Sequence, residues 1–379
     1  MVEPVHAKIR EATLEDCEPV LRLIQGFGLS THSSPEAVRA SWDGLWLRNP
    51  ARGLGRPLPP LGWILEAQDR VVGFFGSLPI RYQFGDQTLI AGVGTRWAVE
   101  KPFRGQTGDL ASAYFEQPGV DLLLGTSGIP ASGRLYLGNG GAALPVPDYD
   151  RVPFWVLASG AFARAALRQK GLSAPLAAAG ATLLGPGIAA LAALGRKGPR
   201  RTRMGLDPEA IRLEEVGDEF DDLWRRKLAE GPRLYAWRTG EDIRWHFEER
   251  DHPRSLTLLR CRHAGRLAGY LVWEREDVER YGLARARIAD LFVEHDAPEV
   301  LEALLAAAHE TARAQGCHVL ELQGFSQVLP SQVGLGRSLS RTLTPISFCY
   351  KARTPELQMA LSHADAWYPS LFDGDGSLG

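Results

Sequence analysis

The chain has 379 residues, of which 45% are apolar and 23% charged, a composition typical of a soluble globular protein with two or three domains. Its 43 basic and 45 acidic residues give a net charge of −2, so no overall basic field points to nucleic acid. The four cysteines are far apart, the histidines lack metal-ligand spacing and the first ten residues contain no apolar run, so we expect no disulfides, no metal and a cytoplasmic protein.

The first half of the chain alternates helical and extended patterns. Thr13 is a suitable N-cap for a first helix with acidic residues in its first turn. Two apolar runs on either side of a short polar turn then predict a β-hairpin. The predicted elements of this half are helix 14–25, strands 62–67, 71–76 and 89–99, a helix from Asp109 to about Gln117 and strand 121–124.

The junction after the third strand is the most informative stretch of this half. Residues 97–109 end a strand, pass through a loop that contains Arg104, Gly105 and Gly108, and enter a helix. Loop amides and the positive end of the helix dipole suit a pyrophosphate, the glycines allow close approach or positive φ, and Arg104 can add donors. The alternative is an ordinary strand-to-helix turn with Asp109 as its N-cap.

A charge-free segment, residues 171–195, occupies the middle of the chain and is followed by the basic run 196–203. The segment is long enough to span a bilayer but is mostly Ala and Gly, and we expect Pro175 and Pro186 to divide it into two short helices. Three interpretations remain open. They are a membrane span, a hairpin that docks on a membrane or a protein partner, and a linker packed on its own domains.

The second half repeats the order of the first, which indicates an α/β protein made of two similar α+β modules. We predict tandem domains at 1–150 and 207–379, each a mostly antiparallel mixed sheet flanked by helices. An Ala-rich helical hairpin at 151–206 would join them. The predicted elements of the second half are helix 218–228, strands 256–261, 267–273 and 285–293, helix 298–315 and strand 318–322.

This order, with its glycine loop, resembles the GNAT superfamily of N-acetyltransferases, in which a Val-x-Pro-x-x-Arg-Gly-x-Gly type stretch binds the pyrophosphate of acetyl-CoA. The matching residues are Val99, Pro102, Arg104 and Gly105. Thr107 stands where the family has a glycine. The resemblance implies acetyl-CoA or another acyl-CoA as co-substrate, no metal, and a β-bulge near Trp97 whose amide polarises the thioester carbonyl. The implied cofactor-binding residues are Trp97, Ala98, Val99, Arg104, Gly105, Gln106, Thr107, Gly108 and Asp109.

The resemblance also implies a catalytic acid. Tyr136 and Gly140 match the Tyr-x-x-x-Gly of the family's last helix. In many members that tyrosine protonates the departing CoA thiolate. The alternative is a tyrosine packed beneath a turn.

The attacking amine needs a general base as well. We consider Glu66, at the end of a strand that would flank the acceptor cleft, and Asp290, inside an apolar strand. A carboxylate in such a strand is buried, paired or functional, and the alternative for Asp290 is an ion pair with an arginine such as Arg285. Glu100 and Glu294 are further candidates.

The sequence therefore predicts an acyl-CoA-dependent N-acyltransferase that acts on the amine of a small molecule, such as an amino sugar or a biosynthetic intermediate. The second half lacks the glycine loop and has Asp296, Glu299 and Glu302 in its place, so we expect only the first half to bind CoA. The second half would shape the acceptor site or form a homodimer. The late Asp373-Gly-Asp375, which follows Trp367, adds a resemblance to tandem GNAT-like proteins of bacterial polysaccharide and natural-product pathways.

Two other functions remain open. A Fem-type aminoacyl-tRNA-dependent transferase duplicates the same fold without CoA, and would need a basic groove to which 196–203 could contribute. A non-catalytic GNAT-like scaffold would instead dock on a membrane or a partner through 171–195.

Overall fold

The computed structural model describes residues 7–28, 34–194, 205–249, 255–324, 338–343 and 347–378. Within these residues the strands form two mixed sheets, one of eight strands and one of seven, with helices on their faces. The strands are β1 (Lys8–Glu11), β2 (Gly62–Ala67), β3 (Arg70–Phe84), β4 (Gln87–Val99), β5 (Leu122–Gly128), β6 (Ala142–Ala143), β7 (Arg151–Val156), β8 (Leu206–Ile211), β9 (Leu234–Ala236), β10 (Leu256–His263), β11 (Arg266–Val278), β12 (Leu283–Val293), β13 (Val319–Leu322), β14 (Leu339–Thr342) and β15 (Ser347–Ala352). The α-helices are α1 (Cys17–Gln25), α2 (Pro35–Trp42), α3 (Thr107–Glu116), α4 (Pro130–Gly138), α5 (Ser159–Gln169), α6 (Ala174–Ala193), α7 (Asp218–Leu228), α8 (Gly240–Phe247), α9 (Pro298–Ala314) and α10 (Pro355–Ala360).

The two sheets share one plan, which confirms the predicted duplication. In the first sheet β1, β2, β3 and β4 are antiparallel neighbours and β5 lies parallel to β4. In the second sheet β8, β10, β11 and β12 repeat this pattern and β13 lies parallel to β12. Both hairpins turn through two residues with positive φ, Gln68 and Asp69 in one and Ala264 and Gly265 in the other. That backbone suits the twist of a two-residue hairpin.

The two halves exchange strands at the open side of each parallel pair. β15, near the end of the chain, runs antiparallel to β5 in the first sheet. β7, from the middle of the chain, runs antiparallel to β13 in the second sheet. Residues 151–156 are therefore a strand of the second sheet and not part of a helical linker, and 347–352 belong to the first sheet. Three strands thus cross the predicted domain boundaries. β7 and β15 each supply the outer neighbour of a parallel strand, and β9 of the second half pairs with β3 in the first sheet.

Buried polar contacts join the halves. Arg81 of β3 forms an ion pair with Asp242 of α8 at 2.6 Å, with both side chains under one-tenth exposed. The indole Nε1 of Trp245 donates to the carbonyl oxygen of Gly44 across 2.8 Å. One continuous apolar core extends through both halves. These buried contacts thus fix the position of the first sheet relative to the second.

The segment between β7 and β8 is a helical hairpin, α5 and α6, as expected. The prediction that Pro175 and Pro186 divide residues 171–195 into two short helices is wrong. Pro175 lies in the first turn of α6, where a missing amide costs no hydrogen bond. Pro186 lies inside α6 without ending it. There α6 passes directly beside the backbone of Gly160 on α5, since Gly185 has no side chain to keep the helices apart. Packing against α5 supports the helix where the proline removes a bond.

Candidate functional site

A cleft of about 900 Å³ opens in the first sheet where β4 and β5 separate. The two parallel strands pair only from Ala91 to Val93 on β4 and from Leu122 to Leu124 on β5. Beyond those pairs the strands diverge, and the gap is lined by β4, β5, α4 and the last described residues of the chain. The cleft is therefore a consequence of incomplete strand pairing.

A β-bulge lies in β4 at the wall of this cleft. The register of β3 and β4 shifts between Phe74 and Gly76, so that Arg96 and Trp97 together face Phe75. Arg96 has a φ of 52°, in the left-handed region. The Trp97 indole stacks on Phe75 with ring centroids 4.4 Å apart. A bulge leaves a residue outside the ladder of hydrogen bonds, which agrees with the expected N–H donor near Trp97.

The glycine loop has a different backbone from the one predicted. Residues Lys101–Gln106 form a 3-10 turn that continues directly into α3, whose first residue is Thr107 and not Asp109. Asp109 is accordingly not the N-cap. The amide of Thr107 is already used, because it donates to the carbonyl of Arg104.

Of the two roles predicted for Gly105 and Gly108, close approach or positive φ, neither glycine takes positive φ. A Cβ atom added to either glycine would meet no atom within 4 Å, so both border open space beside the first turn of α3. Arg104 is exposed at this end of the cleft and Thr107 is half-buried there. The open space and the exposed guanidinium suit an anionic group of a ligand.

Five of the nine residues predicted to bind the cofactor line the cleft: Trp97, Ala98, Val99, Arg104 and Thr107. Gly105, Gly108 and Asp109 lie beside it on the 3-10 turn and α3. The Gln106 side chain is held instead by the backbone amide of Ala7, which donates to its Oε1 at 3.2 Å. The structure thus brings five of the nine residues into the cleft wall and leaves the other four on the adjoining turn and helix.

Tyr136 of α4 lies in the cleft wall and is 3% exposed. Its hydroxyl is 2.8 Å from that of Tyr114, which itself donates to the carbonyl of Gly92 at 2.7 Å. Because Tyr114 donates its proton to Gly92, Tyr136 donates to Tyr114. Burial, followed by the neighbouring Tyr114, raises the pKa of Tyr136 well above its ordinary value, so this phenol stays protonated at neutral pH.

Among the described residues that line the cleft, Asp375 is the one carboxylate, and the sequence pattern does not mark it as a site residue. Its Oδ1 accepts hydrogen bonds from Ser127 Oγ at 2.8 Å and Thr126 Oγ1 at 3.1 Å. No described residue donates to its Oδ2, and the side chain is partly exposed. A carboxylate with one oxygen anchored and the other open can bind a cationic group of a ligand.

The carboxylates predicted as bases lie elsewhere and are paired. Glu66 Oε2 lies 2.5 Å from Arg10 Nε, Glu100 forms two hydrogen bonds with Arg70, and Glu294 lies 2.9 Å from Arg226. None of the three lines the cleft. We therefore do not retain Glu66, Glu100 or Glu294 as candidate bases.

Asp290 is also not a cleft residue, and it forms the alternative that we considered, an ion pair with an arginine, with Arg238 in place of Arg285. It lies in β12, fully buried, and accepts hydrogen bonds from Arg238 at 2.9 and 3.1 Å and from the hydroxyl of Tyr270 at 2.7 Å. Arg285 instead pairs with Glu276. Because these hydrogen bonds are satisfied in the buried interior, Asp290 and Arg238 form a structural ion pair.

The corresponding gap of the second sheet is filled by protein. β12 pairs with β13 only as far as Ile288, and a register shift in β11–β12 follows at Val272 and Trp273. The hydroxyl of Tyr368, from the end of the chain, donates there to the carbonyl of Leu291 at 2.9 Å. Asp296 lies 2.6 Å from the buried ammonium of Lys227. The second half therefore has Tyr368 and the Lys227–Asp296 pair where the first half has its cleft, and its lack of CoA binding stays a prediction.

Among the described residues, no group of His, Cys, Asp and Glu side chains is arranged to hold a metal ion.

Solved structures of similar fold include GCN5-related N-acetyltransferases and an N-myristoyltransferase. A GCN5-related N-acetyltransferase from Anabaena variabilis is 13% identical, with 91% of this chain and 72% of that chain covered and a TM-score of 0.53. A probable N-acyltransferase from Enterococcus faecalis is 9% identical over the same shares, with a TM-score of 0.55. Saccharomyces cerevisiae N-myristoyltransferase with bound myristoyl-CoA and inhibitors is 12% identical over 93% of this chain and 83% of that chain, with a TM-score of 0.52. No family model matches the sequence, and no curated protein matches it. The likeness establishes the fold as that of the GCN5-related N-acetyltransferases, in a tandem arrangement.

Proposed function

We propose that the protein is an acyl-CoA-dependent N-acyltransferase, which transfers the acyl group of acetyl-CoA to the amine of a small molecule. The observation that carries the proposal is the cleft between β4 and β5, because it joins a bulged strand, a protonated tyrosine and an open carboxylate in one space. Each of these groups has a separate task in moving an acyl group from sulfur to nitrogen. The fold supports the same reaction class, since the similar structures include N-acetyltransferases.

The residues at the α3 end of the cleft fit a CoA pyrophosphate. Arg104 supplies an exposed guanidinium, and the first turn of α3 supplies the positive end of a helix dipole. Gly105 and Gly108 leave open the space that side chains would occupy. The backbone beyond Val93 of β4 has no partner on β5, so its peptide groups can bond an extended pantetheine arm.

The co-substrate supplies an activated acyl group, and the protein supplies polarisation, orientation and proton transfer. The bulge at Arg96 and Trp97 directs a backbone N–H toward the acyl carbonyl oxygen, where negative charge develops. Asp375 holds the amine as its nitrogen forms the new bond to the acyl carbon, and accepts the proton that the nitrogen loses. As the carbon–sulfur bond breaks, Tyr136 gives its proton to the sulfur.

Asp375 also supports an amine as the acceptor. Its negative charge attracts an ammonium group, and Thr126 and Ser127 keep its Oδ1 in place. The hydroxyl of Ser132 adds a polar group to the same cleft. A small polar amine such as an amino sugar matches this mixture of one carboxylate and several hydroxyls.

Ligand-dependent thermal stability tests the proposal. Acetyl-CoA at millimolar concentration should raise the melting temperature, since a ligand that binds the folded state stabilises it. Arg104→Ala should reduce the rise, while Arg22→Ala, at an exposed arginine of α1, should not change it. The absence of a shift with acetyl-CoA and with longer acyl-CoAs would overturn the proposal. Incubation of acetyl-CoA with a panel of amines, with free CoA as the readout, then identifies the acceptor class.

A further inference from the structure

The outer face of α6 is apolar and exposed to an extent that the proposed transfer reaction does not explain. Leu176, Leu183 and Leu194 are 62%, 81% and 57% exposed, and Leu184 is half exposed. At 100° per residue Leu176 and Leu183 lie on one side of the helical axis, away from the side that packs on α5, and Leu194 directly follows the helix. The buried side consists of Ala177, Ala181 and Gly185. Large exposed apolar patches mark contact with a membrane or another protein.

The charges around this helix are of one sign. No Asp or Glu occurs between Asp150 and Asp207, although the protein as a whole has a net charge of −2. Arg164 and Arg168 lie on α5 and Lys170 follows it, while the basic run 196–203 follows α6 and lies outside the described residues. An apolar helix with cations at both ends complements the surface of an anionic bilayer.

The topology of the second sheet argues against a membrane span, although α6 alone is long and apolar enough for one. β7 enters the hairpin and β8 leaves it, and both are strands of the same sheet. A single crossing by α6 would put β8 on the opposite side of the membrane from β7. The chain could cross the membrane in the other direction only through α5. That helix has 11 residues, including two arginines, and is too short to span the hydrocarbon core. The helix must therefore remain on one side.

We propose that the hairpin α5–α6 docks on the surface of an anionic lipid bilayer. Leu176, Leu183 and Leu194 insert into the interface, and the exposed Arg164, Arg168 and Lys170 contact lipid headgroups. The helix axis then lies in the plane of the membrane. The acyl-transfer cleft stays in the aqueous phase close to the surface. This role does not depend on the proposed reaction, because the hairpin packs on the second sheet and the cleft lies in the first.

Vesicle sedimentation with the full chain tests this. The protein should sediment with phosphatidylcholine vesicles that contain phosphatidylglycerol. The fraction that sediments with vesicles of phosphatidylcholine alone should be lower by roughly tenfold or more. Leu183→Glu combined with Leu176→Glu should abolish sedimentation with an unchanged melting temperature, because both side chains are already in solvent. Met359→Glu, at a side chain that is 69% exposed on α10, is the matched control and should sediment like the original protein.

Any one of four sedimentation results would overturn the proposal. They are sedimentation with neither kind of vesicle, equal sedimentation with both kinds, sedimentation of the double variant, and loss of sedimentation by Met359→Glu. Light scattering after size-exclusion chromatography tests whether a second copy of the chain binds this face instead. A dimer that the double variant converts to a monomer would also contradict lipid docking. Tight tRNA binding that is lost on replacing the basic run, without vesicle binding, would assign those cations to nucleic acid instead.

Discussion

The hydroxyl of Ser127 donates a 2.8 Å hydrogen bond to Asp375, which lies 248 positions later in the chain. The contact attaches the end of the chain to β5 at the mouth of the cleft. Gly374 makes it possible, because its φ of 142° and its contact with Thr126 leave no room for a Cβ atom. The wall of the cleft is consequently completed by the last residues of the second half.

Replacing Asp375 by asparagine should lower kcat/KM by on the order of 100-fold, because the variant can neither attract an ammonium group nor accept its proton. Asparagine keeps the shape and can still accept from Ser127 and Thr126, so the fold should persist. Glu66→Gln is the control and should leave the rate unchanged, since Glu66 lies outside the cleft. Steady-state kinetics with the identified amine measures both. Equal losses in the two variants would contradict the assignment of Asp375.

Replacing Tyr136 by phenylalanine should lower kcat on the order of 100-fold while acetyl-CoA binding is retained. Tyr114 keeps its own hydrogen bond to Gly92, so the cleft should not collapse. Because burial raises the pKa of Tyr136 well above its ordinary value, this phenol stays protonated through pH 9, about one unit below the usual tyrosine value. The alkaline limb of the pH–rate profile should accordingly keep its position in the variant. An unchanged kcat would indicate that Tyr136 only packs.

Gly125→Ala should lower kcat by roughly tenfold or more through displacement of Tyr136. An added Cβ would lie 2.8 Å from the tyrosine ring, so the ring or the strand must move. Gly138→Ala, near the end of α4, adds the same methyl group where no atom lies within 4 Å and should have no such effect. Comparison of kcat between the two variants separates ring displacement from a general effect of lost glycines. A normal rate in Gly125→Ala would show that the ring position does not matter.

Asp290→Asn should lower the free energy of unfolding by about 3–5 kcal/mol, because it leaves the fully buried Arg238 without its main partner. The folded fraction should keep its kcat, since Asp290 does not line the cleft. Asp277→Asn removes a comparable pair with Arg275 at the exposed surface, where the loss should stay within about 1 kcal/mol. Denaturant titration gives both values. A selective loss of kcat without destabilisation would restore Asp290 as a catalytic candidate.

The stabilising effect of Asp16 should disappear in acid. Burial alone would raise the pKa of Asp16, but the hydrogen bonds from Arg10 and Thr13 outweigh it and hold the pKa below the ordinary value of 3.8. The unfolded chain therefore binds the proton more tightly than the folded one. Asp16 stabilises the fold above about pH 4, and the contribution is lost as the pH falls through the lowered pKa.

Asp16→Asn should accordingly lower the melting temperature at pH 7, with a difference that shrinks toward about pH 3. Glu18→Gln, at an exposed pair with Arg22 that is 3.9 Å apart, serves as the control and should show little difference at either pH. A difference for Asp16→Asn that is independent of pH would assign the effect to packing.

The elements that could be predicted from the sequence are those whose signals are local. Helix α7 begins and ends at the predicted residues, and both hairpins turn at the predicted positions, Gln68-Asp69 and Ala264-Gly265. Periodicity and turn chemistry need only neighbouring residues. Pairings between distant segments could not be predicted in this way. Arg238 rather than Arg285 pairs with Asp290, and β15 rather than a strand of the first half borders β5.

The same limit explains why the site was only partly predicted. The bulge, Arg104 and Tyr136 belong to one continuous part of the chain and carry a recognisable pattern. The sequence singles out Asp373-Gly-Asp375, but the position of Asp375 in the cleft depends on the pairing of β15 with β5 in the first sheet. The helical course of α6 through Pro186 likewise depends on support from α5, which the local sequence does not contain.

The exchange of β7 and β15 has a consequence for synthesis on the ribosome. The first sheet cannot gain its strand beside β5 until residues 347–352 have emerged, after every strand of the second sheet has been made. Until then the open edge of β5 is exposed to other nascent chains, as unpaired edges favour aggregation. The protein should thus complete its first half last, and truncation before residue 347 should leave both the edge of β5 and the mouth of the cleft unfinished.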